Sequence, residues 1–187
     1  MQDKFVFCNM ISFTHTNVSI AGAGDIPSLV QLLNKAYRGD DSKQGWTTEA
    51  HLIAGEVRTD EAAVKEVMQK EGSVMLKYSG EGGTIAGCVN LQQHSDKVYL
   101  GMFAVSPQLQ GGGVGKKLLH AAEEFARQKN CTAIYMTVIS VREELINWYK
   151  RHGYADTGET RPFEEDGLTG KHLTQLEFVV LEKNILS

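Results

Sequence analysis

The chain has 187 residues, 42% hydrophobic and 22% charged, with a formal net charge of -4. This is the composition of one soluble globular domain, long enough to bury a core of its own. The acidic balance argues against a broad nucleic-acid surface, which needs a basic excess. No apolar run approaches the length of a membrane span.

Residues 1–15 read as an N-terminal extension and 16–187 as a single domain. The stretch from Phe5 to Phe13 is apolar but broken by Asn9 and Ser12. Three readings stay open for it. With Ala21-Gly22-Ala23 it imitates a signal peptide poorly, since Asp3 offsets Lys4. Translation could start at Met10, or Phe5, Phe7 and Phe13 could pack as an added strand. A first strand is expected over Val18 to Ala21. Asp25 and Pro27 open a helix whose inner face is Leu29, Val30, Leu33, Ala36 and Tyr37. Arg38 to Gly45 is a polar loop. Thr47 or Thr48 caps a short helix reaching Ala54. Thr59-Asp60 opens another, striped by Ala63, Val64, Val67 and Met68 and ended by Gly72.

Ser73–Tyr78 and Thr84–Leu91 form a hairpin pattern through Gly80-Glu81-Gly82-Gly83. Val98–Val105 is nearly all apolar and therefore a central strand. Val114, Leu118, Ala122, Phe125 and Ala126 recur at helical spacing. Thr132–Ile139 is a β-branched strand, Val141–Arg151 a helix, and Tyr154–Glu159 with Gln175–Leu181 the closing strands. Three cysteines, Cys8, Cys88 and Cys131, are odd in number and widely spaced. They point to free thiols in a reducing, cytoplasmic setting. The histidines are scattered, so no metal site is expected.

Between the central strand and the helix that follows lies Gln110-Gly111-Gly112-Gly113-Val114-Gly115-Lys116. Such a loop aims backbone N–H groups at one point, reinforced by the helix dipole, which suits a phosphate. A P-loop alignment on Gly115-Lys116 puts Gln110 at the first glycine and Lys117 at the Mg²⁺-binding hydroxyl, so it fails at both ends. A dinucleotide fingerprint starting at Gly111 or Gly113 puts Lys116 or Leu118 at the third glycine, and no carboxylate lies near Tyr135. The pattern Q/R-x-x-G-x-G/A fits in full on Gln110, Gly113 and Gly115. The competing reading is a helix start whose glycines only permit close packing.

On these residues the chain resembles the GNAT superfamily of acyl-CoA-dependent N-acetyltransferases. Val138 to Tyr154 is similar to the family's second block, with Tyr149 on its tyrosine and Gly153-Tyr154 on its closing pair. Where members often carry an asparagine near the start of this helix, Arg142 stands. The resemblance covers about residues 16 to 181. A finer similarity, to a bacterial subgroup of unassigned substrate, rests on Gly45-Trp46-Thr47-Thr48-Glu49, Arg58-Thr59-Asp60, Thr157 to Phe163 and Leu176 to Lys183.

The resemblance implies an α/β (α+β) GNAT fold: a mixed, mostly antiparallel central sheet flanked by helices, splayed between the fourth and fifth core strands, 98–105 and 132–139. It implies acetyl-CoA as cosubstrate, bound by Phe103, Ala104, Val105, Gln110, Gly111, Gly112, Gly113, Val114, Gly115, Lys116, Arg142, Tyr149 and Arg151. It also implies transfer to the amine of a small molecule or peptide, and it allows a homodimer. Lys116, Lys117, Lys150 and Arg151 flank the loop and can face phosphates or solvent. Tyr149 is the candidate general acid, or else a core tyrosine. Glu49 is the candidate base, or else part of a helix start; a water chain is the alternative. Asp40, Asp41, Glu49, Glu164, Glu165 and Asp166 could make the acceptor side attract cations. The rival class is a non-catalytic acyl-CoA-binding or sensor domain of the same fold.

Overall fold

A computed structural model describes residues 11–186. In chain order these form β1 (Val18–Ile20), α1 (Ile26–Tyr37), α2 (Gly39–Ser42), β2 (Ile53–Ala54), α3 (Glu61–Gln69), β3 (Ser73–Ser79) and β4 (Ile85–His94). There follow β5 (Lys97–Val105), α4 (Val114–Gln128), β6 (Ala133–Ile139), α5 (Glu143–Arg151), β7 (Ala155–Phe163), β8 (Lys171–His172) and β9 (Leu176–Asn184). Seven strands make one sheet in the order β1-β3-β4-β5-β6-β9-β7, and β2 pairs with β8 apart from it. Every pairing is antiparallel except β5 with β6.

Two apolar clusters sandwich the sheet. On one face α1 and α3 bury Leu29, Leu33, Ala36 and Val64 against Met75, Cys88 and Ala104. On the other, α4 and α5 bury Leu118, Ala122, Phe125, Ile146 and Tyr149 against Ile134, Met136 and Leu181. The helical stripes read from the sequence are therefore the packed faces, since 3.6-residue periodicity brings those positions onto one side. A smaller cluster of Leu52, Ile53, Ile139 and Leu176 closes the far end.

The β5–β6 pairing sets up the site. It holds for three residue pairs, from Lys97↔Ala133 to Tyr99↔Tyr135, and then stops. Beyond it β5 stays with β4 as far as Val105↔Gly87, and β6 stays with β9 as far as Ile139↔Phe178. The two strands thus part in mid-sheet. A bulge helps: Met102 and Phe103 together oppose Val89, and Met102 sits at φ +44. Bulges bend a strand and re-aim its side chains.

Several local expectations are corrected. Residues 47–54 are not a helix but turns ending in β2, which pairs Ile53 with His172 and Ala54 with Lys171. This pairing depends on Gly170: at φ +101, a Cβ there would lie 2.2 Å from the Ala54 carbonyl oxygen. The loop after α1 contains the short α2. Asp25 does not cap α1 with its side chain; its carboxylate accepts from Lys77 and the Gly22 amide. β7 runs four residues past Glu159, to Phe163, as an exposed edge strand where Pro162 costs no ladder bond. Residues 11–17 form no strand; Ile11 and Phe13 pack against the α4-side core. Gln128 and Glu124 of α4 bond the backbone of Ser12 and Thr14. Phe5, Phe7, Cys8 and Met10 lie outside the described residues. Cys88 and Cys131 are free and buried. Among the described residues no helix is long and apolar enough to cross a membrane.

Candidate active site

The glycine loop is shaped by conformation rather than by crowding. Gly111 and Gly113 sit at φ +84 and +82, with open space where a Cβ would be. An L side chain is strained there, so glycine is the residue that lets the chain turn into α4. Gly113 makes no side-chain cap, and the first intrahelical bond runs from the Lys117 amide to its carbonyl. Among the described residues the amides of Gly111, Gly113, Val114, Gly115 and Lys116 have no acceptor. The first N–H groups of any helix lack an intrahelical partner, and here they open onto a cleft.

That cleft has a volume of about 490 Å³. It brings together Phe103, Val105, Gln110, Gly111, Gly113, Gly115, Lys116, Tyr149 and Arg151 of the expected set, with Tyr37, Trp46, Thr47, Glu144, Leu145, Trp148 and His152. Ala104, Gly112 and Val114 put no side chain into it. Ala104 and Val114 are core residues, and the Gly112 amide is spent on the Leu109 carbonyl. Of the four flanking cations, Lys116 and Arg151 line the cleft, while Lys117 lies against the Tyr78 ring, its Nζ 5.3 Å from the centroid. Gln110 acts as a strut. Its amide accepts from the Trp46 backbone at 2.8 Å and donates to the Thr47 hydroxyl and the Val105 carbonyl at 2.7 and 3.1 Å. Gly45 lets it pass, for a Cβ there would meet Gln110 Oε1 at 2.6 Å.

At the strand gap the cleft meets a second cavity of about 200 Å³. Tyr37, Phe103, Leu145 and Tyr149 line both. The Tyr37 hydroxyl donates to the Phe103 carbonyl. The Ser106 amide donates to Ala86 of β4, so by alternation the Val105 amide faces the gap. Tyr149 is 4% exposed, and its hydroxyl has no partner among the described residues yet is not sealed in.

Glu49 and Arg142 stand in the second cavity rather than at the glycine loop. Arg38 Nη1 donates to Glu49 Oε2 at 2.6 Å, and Arg142 Nη1 to Glu49 Oε1 at 3.3 Å. Arg38 also donates Nε and Nη2 to the Thr169 carbonyl. One carboxylate thus ties the end of α1 to the 47–54 segment and the start of α5, while Arg38 adds the 169 loop. The acidic acceptor side is not assembled: Asp40 and Asp41 face Lys43 and Lys35 on the surface, and Glu164 and Glu165 are exposed. Sequence reasoning passed over Tyr37, which reads as one more apolar stripe position, and Arg58, Phe163 and Phe178 of the second cavity. The signals pointing there were the Arg58-Thr59-Asp60, Thr157 to Phe163 and Leu176 to Lys183 segments, none of which singled out these side chains by itself.

Burial governs the titration of these phenols. It pushes Tyr37 up to about 12, with the Glu49 carboxylate adding to it. It raises Tyr149 well above the usual phenol value, with Tyr37 and Tyr154 adding, and raises Tyr154 too. Unfolded phenols ionise near pH ~10. The stability these groups contribute is therefore complete below that pH and is lost as pH climbs toward their folded values. Tm is expected to hold through neutral pH and fall above about pH 10. The phenolate absorbance of Tyr37, Tyr149 and Tyr154 should appear only with loss of the native circular dichroism. Titration of all six tyrosines in a folded protein would contradict this.

Comparison with known proteins agrees with the geometry. Residues 27–154 match the Acetyltransferase (GNAT) family. The chain is 28% identical over 89 residues to an IAA acetyltransferase of Azospirillum brasilense, covering 46% of this chain and 58% of that protein. The chain spans about half the length of the curated relatives it matches, from 46% to 58%. Its fold is similar to that of the ribosomal-protein-S18-alanine N-acetyltransferase from Escherichia coli, with TM-score 0.66 and 15% identity over 90% of this chain and 92% of that one. It is also similar to yncA from Salmonella typhimurium, solved with its cofactor acetyl-CoA, with TM-score 0.65 and 19% identity over 91% and 94% of the two chains. Since the family match takes in well over half of the chain, including the glycine loop, the parted strands and Tyr149, the chain belongs to the GNAT acetyltransferase family.

Proposed function

We propose that this chain transfers an acetyl group from acetyl-CoA to the primary amine of a small molecule. The row of unused amides at the head of α4, opening onto a cleft that ends at Tyr149, carries this reading. The residues present fit the cosubstrate. The amides of Gly111 and of Gly113 to Lys116 suit a diphosphate, with Lys116 and Arg151 adding charge. Phe103, Val105 and Trp148 line the way inward for a long, largely apolar arm. Acetyl-CoA supplies a reactive thioester carbonyl and a good leaving group.

The chain's part is to orient, polarise and move protons. Holding both reactants at the gap replaces a chance encounter, which removes several kcal/mol of barrier. An amide of the Phe103–Val105 edge donates to the carbonyl oxygen as charge builds there. The acceptor, arriving as an ammonium, gives up a proton to water before its nitrogen forms the new C–N bond. The C–S bond breaks, the sulfur takes the Tyr149 proton, the nitrogen sheds its second proton to water, and solvent reprotonates the phenolate. Glu49, held by two guanidinium groups, serves as an anchor rather than as the base. Arg142 serves the acceptor side.

Acetyl-CoA at a hundred times its Kd is expected to stabilise the native state by about 2.7 kcal/mol, raising Tm by roughly 5–11 °C for a chain of this size. Unchanged melting at millimolar acetyl-CoA overturns the reading. Release of free thiol on adding an amine panel tests the transfer itself.

A further inference from the structure

The second cavity is walled by more cations than it has anions to match. Arg142 is 5% exposed and gives only Nη1 to Glu49. Its Nε and Nη2 have no acceptor among the described residues, and neither is sealed from the cavity. Arg58 lies half-buried over the Tyr37 ring, 5.8 Å from its centroid, and its guanidinium makes no hydrogen bond among the described residues. Both line the same space, into which Glu49 is the single carboxylate to project among the described residues. That carboxylate is already shared with Arg38, whose side chain is fully buried. Asp166, which feels the Arg58 charge, spends Oδ1 on the Leu168 and Thr169 amides and the Thr169 hydroxyl.

A buried guanidinium with open donors costs free energy unless a ligand uses them. The Nε–Nη2 edge of an arginine is a two-pronged fork that matches a carboxylate. Building on the acetyl-transfer reading, we infer that the acceptor is a free amino acid or a similarly short amine, its carboxylate held by Arg142 and Arg58 and its amine turned to the strand gap. The cavity's size agrees, since about 200 Å³ lies below the range of about 300–1,000 Å³ typical of drug-sized ligands. The stacked rings of Phe163 and Phe178, 4.3 Å apart, form an apolar wall for the rest of the molecule. The same arginines disfavour a polycation. A peptide N-terminus, whose carboxyl is tied up in an amide, leaves them unused.

The test pairs each of the common amino acids with its primary amide, using acetyl-CoA and a free-thiol readout. At least one amino acid is expected to exceed its amide by about 30-fold or more in kcat/KM, the effect of losing one partner of a buried charged pair. Arg142→Gln should collapse that ratio while the acetyl-CoA thermal shift persists, and Arg142→Lys should restore part of it. Arg58→Gln, at a half-buried position with no ion pair to break, should lower the ratio without unfolding the protein. Amides, peptides or polyamines matching or exceeding every free amino acid overturns the inference. So does a panel without turnover on any amino acid although acetyl-CoA still raises Tm; in that case the cosubstrate reading stands. No shift with acetyl-CoA overturns both.

Discussion

Tyr149→Phe is expected to lower kcat by about 10²–10⁴-fold, the usual contribution of a general acid, with the acetyl-CoA thermal shift close to wild type. The substitution removes one oxygen and keeps the ring. That ring contacts Trp148 at 5.1 Å and Tyr154 at 5.7 Å between centroids, so packing is retained. The lost hydroxyl bonds to nothing in the described structure, so folding stability should scarcely change. Its place is what matters: both cavities meet at it. Burial first, then the neighbouring Tyr37, holds its proton on well beyond physiological pH, so in the proposed transfer it would meet the leaving sulfur as a donor. A thiolate leaving group has a pKa near ~8.5 and gains by taking that proton as the bond breaks. Wild-type kcat should therefore show no alkaline limb from this group below about pH 10, the ordinary phenol value. If the variant instead keeps its kcat and loses acetyl-CoA binding, Tyr149 is a packing residue.

What the sequence disclosed follows from how each feature is encoded. The α4 stripe and the apolar β5 were legible because burial imposes a period on residue type. The glycine loop was legible because positive φ selects glycine at Gly111 and Gly113. The parting of β5 and β6 came only through family resemblance, since no local pattern reports where a ladder stops. β7 was cut short because an exposed edge strand is held by backbone bonds and need not alternate. The 47–54 segment misled in an instructive way. Thr47, Thr48 and Glu49 make a plausible helix start, because a glutamate in the first turn reaches back to the cap. Here that carboxylate is claimed by Arg38 and Arg142, 11 and 93 positions away. Pairing over such distances leaves no periodic trace. The same holds for Arg142, which lines the second cavity rather than the expected cofactor loop.

Glu49 provides the sharpest separation of anchor from base. Glu49→Gln is expected to lower stability by about 3–5 kcal/mol, the cost of breaking a buried ion pair by removing one partner. For a chain of this length that means a Tm lower by roughly 6–20 °C. The magnitude follows from what is left behind. Arg38 has no exposed side-chain surface, so its charge loses its only carboxylate among the described residues without gaining water, and Arg142, with 5% of its side chain exposed, loses the same partner. A catalytic base in an open loop would behave oppositely: the variant would fold normally and lose turnover together with the acidic limb of its pH–rate profile. Replacing both partners separates the two again. Arg38→Met combined with Glu49→Gln should cost less than the sum of the single changes, because the second substitution removes the charge that the first one stranded. Additive losses would mean that the pair is not coupled, and that the junction between α1, the 47–54 segment and α5 is held by packing alone.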